Sequence, residues 1–349
     1  MNAGNMHPSR GLAQTAEEAL HVWRHRGLAV GTGLGYALWR RLLQPGAATL
    51  QAATARILAA RFEQLLQKDL ANARAGYYPR RLLHQFPAFE YLRCMPEALL
   101  ELPRVLLRSY LGRYDDLPAQ ARPETYPRYY RRTFHWQSDG WLSERSARIY
   151  DASVEFLFGG TADVMRRMAI PPVVDAVRAR RRPRILDVAC GTGRFLGQLG
   201  QALPQARLYG LDMSPFYIRH ARRMLDPQLD VTLTAEDAAR MPWADGFFDA
   251  VASLYLFHEL PARVRRDVAR EIARVLRPGG TLVVCDSAQL SDSAELADAL
   301  YAFPNGYHEP YYKGYLRDDL AAMLNECGFE VIESAPHLVS KVVTARKPA

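Results

Sequence analysis

The stretch "RILDVACGTGRF" at 184–195 constrains the fold of this chain more than any other. An apolar run reaches Asp187, the small residues Ala189, Gly191 and Gly193 follow, and a helical pattern begins near Phe195. A glycine loop can hold a ligand only where a strand delivers it and a helix leaves it, because the ligand needs free backbone N–H groups and close approach. The chain writes Gly-Thr-Gly a second time, in "AVGTGLG" at 29–35, but no strand precedes that copy. It reads as small residues on a packed helix.

From 184 onward strand and helix patterns alternate. Strands are predicted at "RILDVA", "ARLYGLD", "VTLTAED", "FDAVASLY", "TLVVCDS", "FEVIESA" and "KVVTARK", with helices such as "RFLGQLGQAL", "PFYIRHARRML", "RVRRDVAREIARVL" and "LRDDLAAMLNECG" between most of them. Such an order predicts an α/β, doubly wound sheet covered by helices on both faces. The last two strands are close enough in sequence to form an antiparallel hairpin. Upstream, residues 12–112 read as helices from apolar residues at three- and four-residue spacing, with Pro45-Gly46 and Pro96 as breaks. Residues 113–142, rich in proline and aromatics, read as an ordered connector. Ser143 is the predicted N-cap of a helix ended by Gly159-Gly160. The expected division is therefore a helical region and connector over 1–142 and a ligand-binding α/β domain over 143–349.

Charge separates the same two parts. Residues 1–150 hold 21 Lys and Arg against 12 Asp and Glu, whereas the remainder holds 24 against 25. The basic surplus therefore belongs to the helical front, where it is a solvated surface or a face for phosphates or anionic lipid. Cys94, Cys190, Cys285 and Cys327 are far apart with no C-x-x-C pair, which predicts neither a zinc site nor a disulfide framework. No metal is expected. The first residues lack a signal-peptide build, and "GLAVGTGLGYALW" (27–39), flanked by arginines, is shorter than the ~20 residues a span needs. A cytoplasmic protein is expected, with an interfacial or core helix there.

The ligand can be narrowed from the strand ends. The dinucleotide fingerprint wants Gly or Ala three residues after the second glycine, and Leu196 stands there. Asp187 is poorly placed beside a pyrophosphate and suits a ligand bearing an ammonium and a sulfonium. One β-α-β step later "YGLDMS" places Asp212 where an acid accepts both hydroxyls of a ribose, and Met213 where it packs on a base. The next strand end, "AEDAARMPWADGFFD", offers Asp237 to an adenine amino group.

Taken together, "LDVACGTGRF", "GLDMS", "AEDAARMPWADGFFDAV" and "LRPGGTL", in that order, resemble the successive motifs of class I S-adenosylmethionine-dependent methyltransferases. The resemblance covers about residues 143–349. One departure is Ala189, where the family pattern has its first glycine. The resemblance implies S-adenosylmethionine as cofactor and S-adenosylhomocysteine as product, with Asp187 near the methionine moiety and Ala189, Gly191 and Gly193 against the cofactor. It further implies Asp212 at the ribose, Met213, Asp237 and Ala238 framing the adenine, and Ser253 at the end of the fourth strand. Tyr150, on the helix before the core, either covers the cofactor or is a core tyrosine.

Methyl transfer is an in-line displacement that positioning alone can accelerate greatly. A general base is needed only where the acceptor must lose a proton. "YLFHELP" offers His258 and Glu259, and "FPNGYHEPYYKGY" offers His308 as a further catalytic candidate and Tyr307, Glu309, Tyr311 and Tyr312 as a substrate pocket or lid. The bland alternatives are a structural histidine and an aromatic loop packed on the sheet. An Asn/Asp-Pro-Pro-Tyr/Phe turn, carried by amino-methylating enzymes of DNA and many RNAs, is replaced by "SLYLFHEL". The text is closer to the ubiquinone/menaquinone-biosynthesis branch. A small-molecule acceptor is the expectation, with an aromatic or apolar one allowed for and peripheral contact with a membrane surface as the means of reaching it. Two alternatives stand beside it: a nucleic-acid or protein methyltransferase docked through "YPRYYRRTFHW", and a non-catalytic S-adenosylmethionine-binding protein.

Overall fold

β1 (Arg184–Val188), the strand that delivers the glycine loop, lies in the middle of a seven-stranded sheet. The computed structural model describes residues 8–43 and 51–349. The other strands are β2 (Arg207–Asp212), β3 (Val231–Ala235), β4 (Phe248–Leu254), β5 (Leu276–Ser287), β6 (Glu330–His337) and β7 (Ser340–Arg346). Their order is β3-β2-β1-β4-β5-β7-β6, parallel except for β7, which runs antiparallel to both β5 and β6. The predicted doubly wound sheet with a closing antiparallel hairpin is what the chain forms. From β1 the chain winds outward to β3 and returns on the other side at β4, so the crevice between β1 and β4 is a topological switch point.

Alternation along β1 sorts its side chains between two cores. Ile185 faces a core that includes Leu65, Leu66 and Leu70 of the helix Ala52–Arg74, so the front helices cover one face of the sheet. Leu186 and Val188 face the other core, with Val268 and Ile272 of the helix Ala262–Val275. Buried charges fasten the front helices as well. Asp69 accepts two hydrogen bonds from Arg167, at 2.8 and 2.6 Å, and one from the Tyr78 hydroxyl at 2.6 Å. Among the described residues no helix is long and apolar enough to cross a membrane.

Two expectations for the front half change. The second Gly-Thr-Gly lies within a helix, Pro8–Leu43, but Gly31 and Gly33 are exposed, with open space where a Cβ would stand. Close packing there belongs to the partner: at Gly160 (φ +78°) a Cβ would come within 2.7 Å of Leu28. Pro96 is no break, because the helix Ala88–Leu111 runs through both Pro96 and Pro103. Seven residues apart, the two prolines share one exposed helical face, where water can satisfy the carbonyls they leave unbonded. Pro45-Gly46, the other predicted break, lies outside the described residues. The helix Glu144–Leu157 is capped as expected, Ser143 accepting from the Ser146 N–H at 3.0 Å.

Candidate active site

The switch point opens into a pocket of about 790 Å³, its mouth included. The loop after β1 contributes Ala189 and Gly191, the end of β2 contributes Leu211, Asp212 and Met213, and the end of β4 contributes Leu254, Tyr255, Leu256 and Glu259. Six further rings close it: Tyr129, Tyr130, Phe134, Trp141, Tyr150 and Tyr217. No Lys or Arg is among the lining residues, whereas Asp212 and Glu259 are. Such a wall suits a cationic ligand and opposes a polyphosphate.

The glycine loop is built around Asp212. One carboxylate oxygen accepts the Gly191 N–H at 2.9 Å and the other accepts the Ser214 N–H at 2.8 Å. Burial raises the Asp212 pKa to about 6, against the pull of those two N–H groups. At Gly191 (φ +54°) a Cβ would meet only Tyr217, at 4.0 Å, so this backbone faces open space where a ligand can touch it. Ala189 holds the left-handed conformation (φ +61°) in which the family pattern has glycine. Gly193 (φ +78°) is the N-cap of the helix Arg194–Ala202 and lies against Ala221 and Leu225. Asp187 is buried and does not line the pocket, and its Oδ1 has no hydrogen-bond partner among the described residues. Burial, and then the Asp212 charge, push it well above the usual carboxylate range. An unpaired buried carboxylate beside a cation-friendly pocket is a place prepared for positive charge.

The other sequence-predicted residues divide. Ala238 and Tyr150 line the pocket with Met213, and Tyr150 meets Trp141 and Tyr217 edge-on. Asp237 is half-buried, is not among the lining residues, and closes its own turn by accepting the Ala239 N–H at 2.8 Å. Ser253 ties β4 to β1 by donating to the Val188 carbonyl. Glu259 lines the pocket, but His258 does not. His258 Nδ1 lies 2.6 Å from Asp286, which also accepts the Phe257 N–H. Burial would lower the His258 pKa, yet the Asp286 carboxylate overrides it, to about 9.

The loop read as a substrate pocket is split. Tyr307 stacks on Phe303 and His308 on Tyr114, both away from the lining, while Tyr312 is buried with its hydroxyl 2.6 Å from Ser287 Oγ. Tyr311 packs beside the aromatic wall, and Glu309 is buried next to His135. His135 and the rings Tyr129, Tyr130, Phe134 and Trp141 come from the stretch read from sequence as an ordered connector. Its density of aromatics was the signal. Tyr129, Tyr130 and Phe134 of "YPRYYRRTFHW" turn into the pocket, so they are not a surface platform for bases.

Comparison with known proteins meets this geometry. A family model described as a methyltransferase domain matches residues 185–280. A demethylmenaquinone methyltransferase of Beutenbergia cavernae is 30% identical over 202 residues, which are 52% of this chain and 79% of that protein. The chain belongs to the class I S-adenosylmethionine-dependent methyltransferases. An O-methyltransferase of Aspergillus nomiae is 30% identical over 179 residues, 50% of this chain and 76% of that protein. The demethylmenaquinone methyltransferase of Thermus thermophilus is 36% identical over 114 residues, 32% of this methyltransferase chain and 51% of its own. Against the latter, and against a malonyl-[acyl-carrier protein] O-methyltransferase of Geobacter sulfurreducens (57%), the match spans little more than half of the relative's length. S-adenosylmethionine is the cofactor of this class, and a pocket with acid and aromatic walls, an open Gly191 and an orphaned Asp187 fits it.

Proposed function

We propose that this protein transfers the methyl group of S-adenosylmethionine to a small molecule. The observation that carries the reading is the pocket at the β1–β4 switch point, walled by Asp212, Glu259 and seven aromatic rings, with no Lys or Arg among the described residues that line it. The cofactor supplies an electrophilic methyl carbon, and the acceptor's lone pair forms the new bond as the carbon–sulfur pair returns to sulfur. In this reading Asp212 accepts the ribose hydroxyls, Asp187 balances the ammonium, and Gly191 lets the ligand reach the backbone. Met213, Asp237 and Ala238 frame the adenine, and Tyr150 with the connector rings excludes water. Gly193, Ser253 and His258 shape the loop and the strand ends behind them.

Incubation of the protein with methyl-labelled S-adenosylmethionine and a cell extract tests the proposal. Label in the organic-soluble or low-mass fraction is the expected result. Label in nuclease- or protease-sensitive material would overturn the small-molecule reading in favour of a macromolecular acceptor.

An apolar acceptor, reached at a membrane surface, is favoured by one further observation. On the helix Ala88–Leu111, Phe89, Leu92, Leu99, Leu100, Leu107 and Tyr110 are each at least 58% exposed. Their spacing gathers them on one side of the helix, and exposed Arg93 and Arg104 make no ion pair among the described residues. A helix with an unburied apolar face and basic flanks is suited to lie in an anionic lipid interface. The protein should co-sediment with vesicles containing phosphatidylserine, and the double substitution Leu92→Glu with Leu99→Glu should abolish this. Wild-type protein left in the supernatant would remove the membrane from the proposal.

A further inference from the structure

Beside the pocket, three side chains from three distant segments converge: His135 of the connector, Glu259 after β4, and Glu309 of the loop after β5. One donor atom from each lies within 4.8 Å of the others. They do not form an ordinary hydrogen-bonded network. His135 Nδ1 is 3.0 Å from Glu309 Oε1, yet neither oxygen of Glu309 has a hydrogen-bond partner of acceptable geometry among the described residues. His135 Nε2 is 3.6 Å from Glu259, beyond hydrogen-bond range. The donors are near one another without being aimed at one another. Groups arranged around a shared centre have that geometry.

The only positive charge near this cluster among the described residues is that of imidazoles, His135 within it and His258 next to Glu259. The Glu309 side chain is fully buried, and no Lys or Arg pairs with Glu259 or Glu309 among the described residues. A buried carboxylate without a well-aimed hydrogen bond is costly unless a cation or further donors satisfy it. Asp286, a further carboxylate, adds no positive charge, and its oxygens accept from Phe257, Ser287 and His258. Those bonds fix the turn that presents Glu259. The backbone of His135 is left-handed (φ +52°), an uncommon state for a residue with a Cβ, and its N–H donates to the His308 carbonyl at 3.3 Å. Strain held in place by such contacts is characteristic of functional sites.

We propose that His135, Glu259 and Glu309 bind a divalent transition-metal cation at the wall of the pocket. One imidazole nitrogen and two carboxylate oxygens suit Zn²⁺, Mn²⁺ or Fe²⁺, whereas Ca²⁺ wants six to eight oxygens. At ligand distances of about 2.0–2.2 Å, donors of one ion stand at most about 4.4 Å apart, so rotamer shifts of a few tenths of an ångström close the site. Because Glu259 lines the pocket, the ion's remaining positions open toward the acceptor. An acceptor with a hydroxyl, carbonyl or carboxylate oxygen could then coordinate it.

The test uses the full chain, dialysed against a chelator and titrated with Mn²⁺ or Zn²⁺ by calorimetry, with the electron paramagnetic resonance of Mn²⁺ as a second readout. One saturable site per chain is expected, weakened at least tenfold in both His135→Ala and Glu309→Gln. Circular dichroism and thermal melting of each variant show whether it is folded; if Glu309→Gln is not, His135→Ala and Glu259→Gln carry the comparison. Absence of saturable binding to the wild type, or equal binding by the folded variants, overturns the proposal. S-adenosylmethionine binding measured on the same samples reports separately on the methyltransferase reading, since Asp212 and the glycine loop are not among the three ligands.

Discussion

Asp212→Asn weakens S-adenosylmethionine binding by about two orders of magnitude while leaving the protein folded. The wild-type carboxylate already accepts the Gly191 and Ser214 N–H groups and has lone pairs left for two ribose hydroxyls. Hydrogen bonds to a charged group contribute about 1.5–3 kcal/mol each, and an amide offers one acceptor atom where there were two. A loss of about 3 kcal/mol corresponds to roughly a hundredfold in affinity. Calorimetric titration measures it, and unchanged affinity would remove the ribose assignment. The same residue sets a pH dependence. Burial raises its pKa to about 6, so the acceptor form is lost as pH falls below that value, and wild-type affinity at pH 5 should be about tenfold below that at pH 7. The Asn variant should lack that dependence. Stability without ligand moves the other way. The folded protein binds this proton more tightly than the unfolded chain, whose Asp titrates near ~3.9, so the contribution of Asp212 to stability declines as pH rises from about 4 to 6.

What the sequence disclosed and what it withheld differ by the range of the interactions involved. The strand, glycine loop and helix at 184–195 are set by local pattern, and the positions of Asp187, Gly191 and Asp212 in the fold were readable because each stands at a fixed offset from a strand end. Tyr150 could be placed on its helix but not on either side of the question of core or pocket, since its three-dimensional neighbours Trp141 and Tyr217 decide that. His135 was missed for the same reason. Its meaning depends on Glu259 and Glu309, more than a hundred residues away, and on a left-handed backbone that no local signal announces. The loop "FPNGYHEPYYKGY" was noticed as a cluster, yet its side chains part company: Glu309 turns to the site, while His308 stacks on Tyr114. Pro96 misled because proline usually ends a helix, and here the unbonded carbonyl has an exposed face on which to meet water.

Asp69→Ala should have its effect on stability, at about 3–5 kcal/mol. Asp69 and Arg167 are both almost fully buried and joined by two hydrogen bonds, with Tyr78 and His21 on the same carboxylate. Removing one partner of a buried pair leaves the other charge uncompensated, which is why the loss exceeds the net value of the pair itself. Replacing both, as Asp69→Leu with Arg167→Met, removes the orphan and should recover most of the loss. Denaturant unfolding distinguishes the two variants, and a single-mutant loss below about 1 kcal/mol would show that water reaches the site. The Arg167 guanidinium outweighs burial and holds the Asp69 carboxyl below the usual range. Its contribution to stability is therefore present above about pH 4, where an unfolded Asp is ionised, and is lost only as pH falls toward the lower folded value. The consequence reaches the cofactor loop through neighbouring charges. Asp163, on the same short helix as Arg167, pairs with Arg166 and with Arg194, the first residue of the helix that leaves Gly193. Loosening the front helices in Asp69→Ala should thus weaken S-adenosylmethionine binding as well as the fold, even though Asp69 lines no part of the pocket.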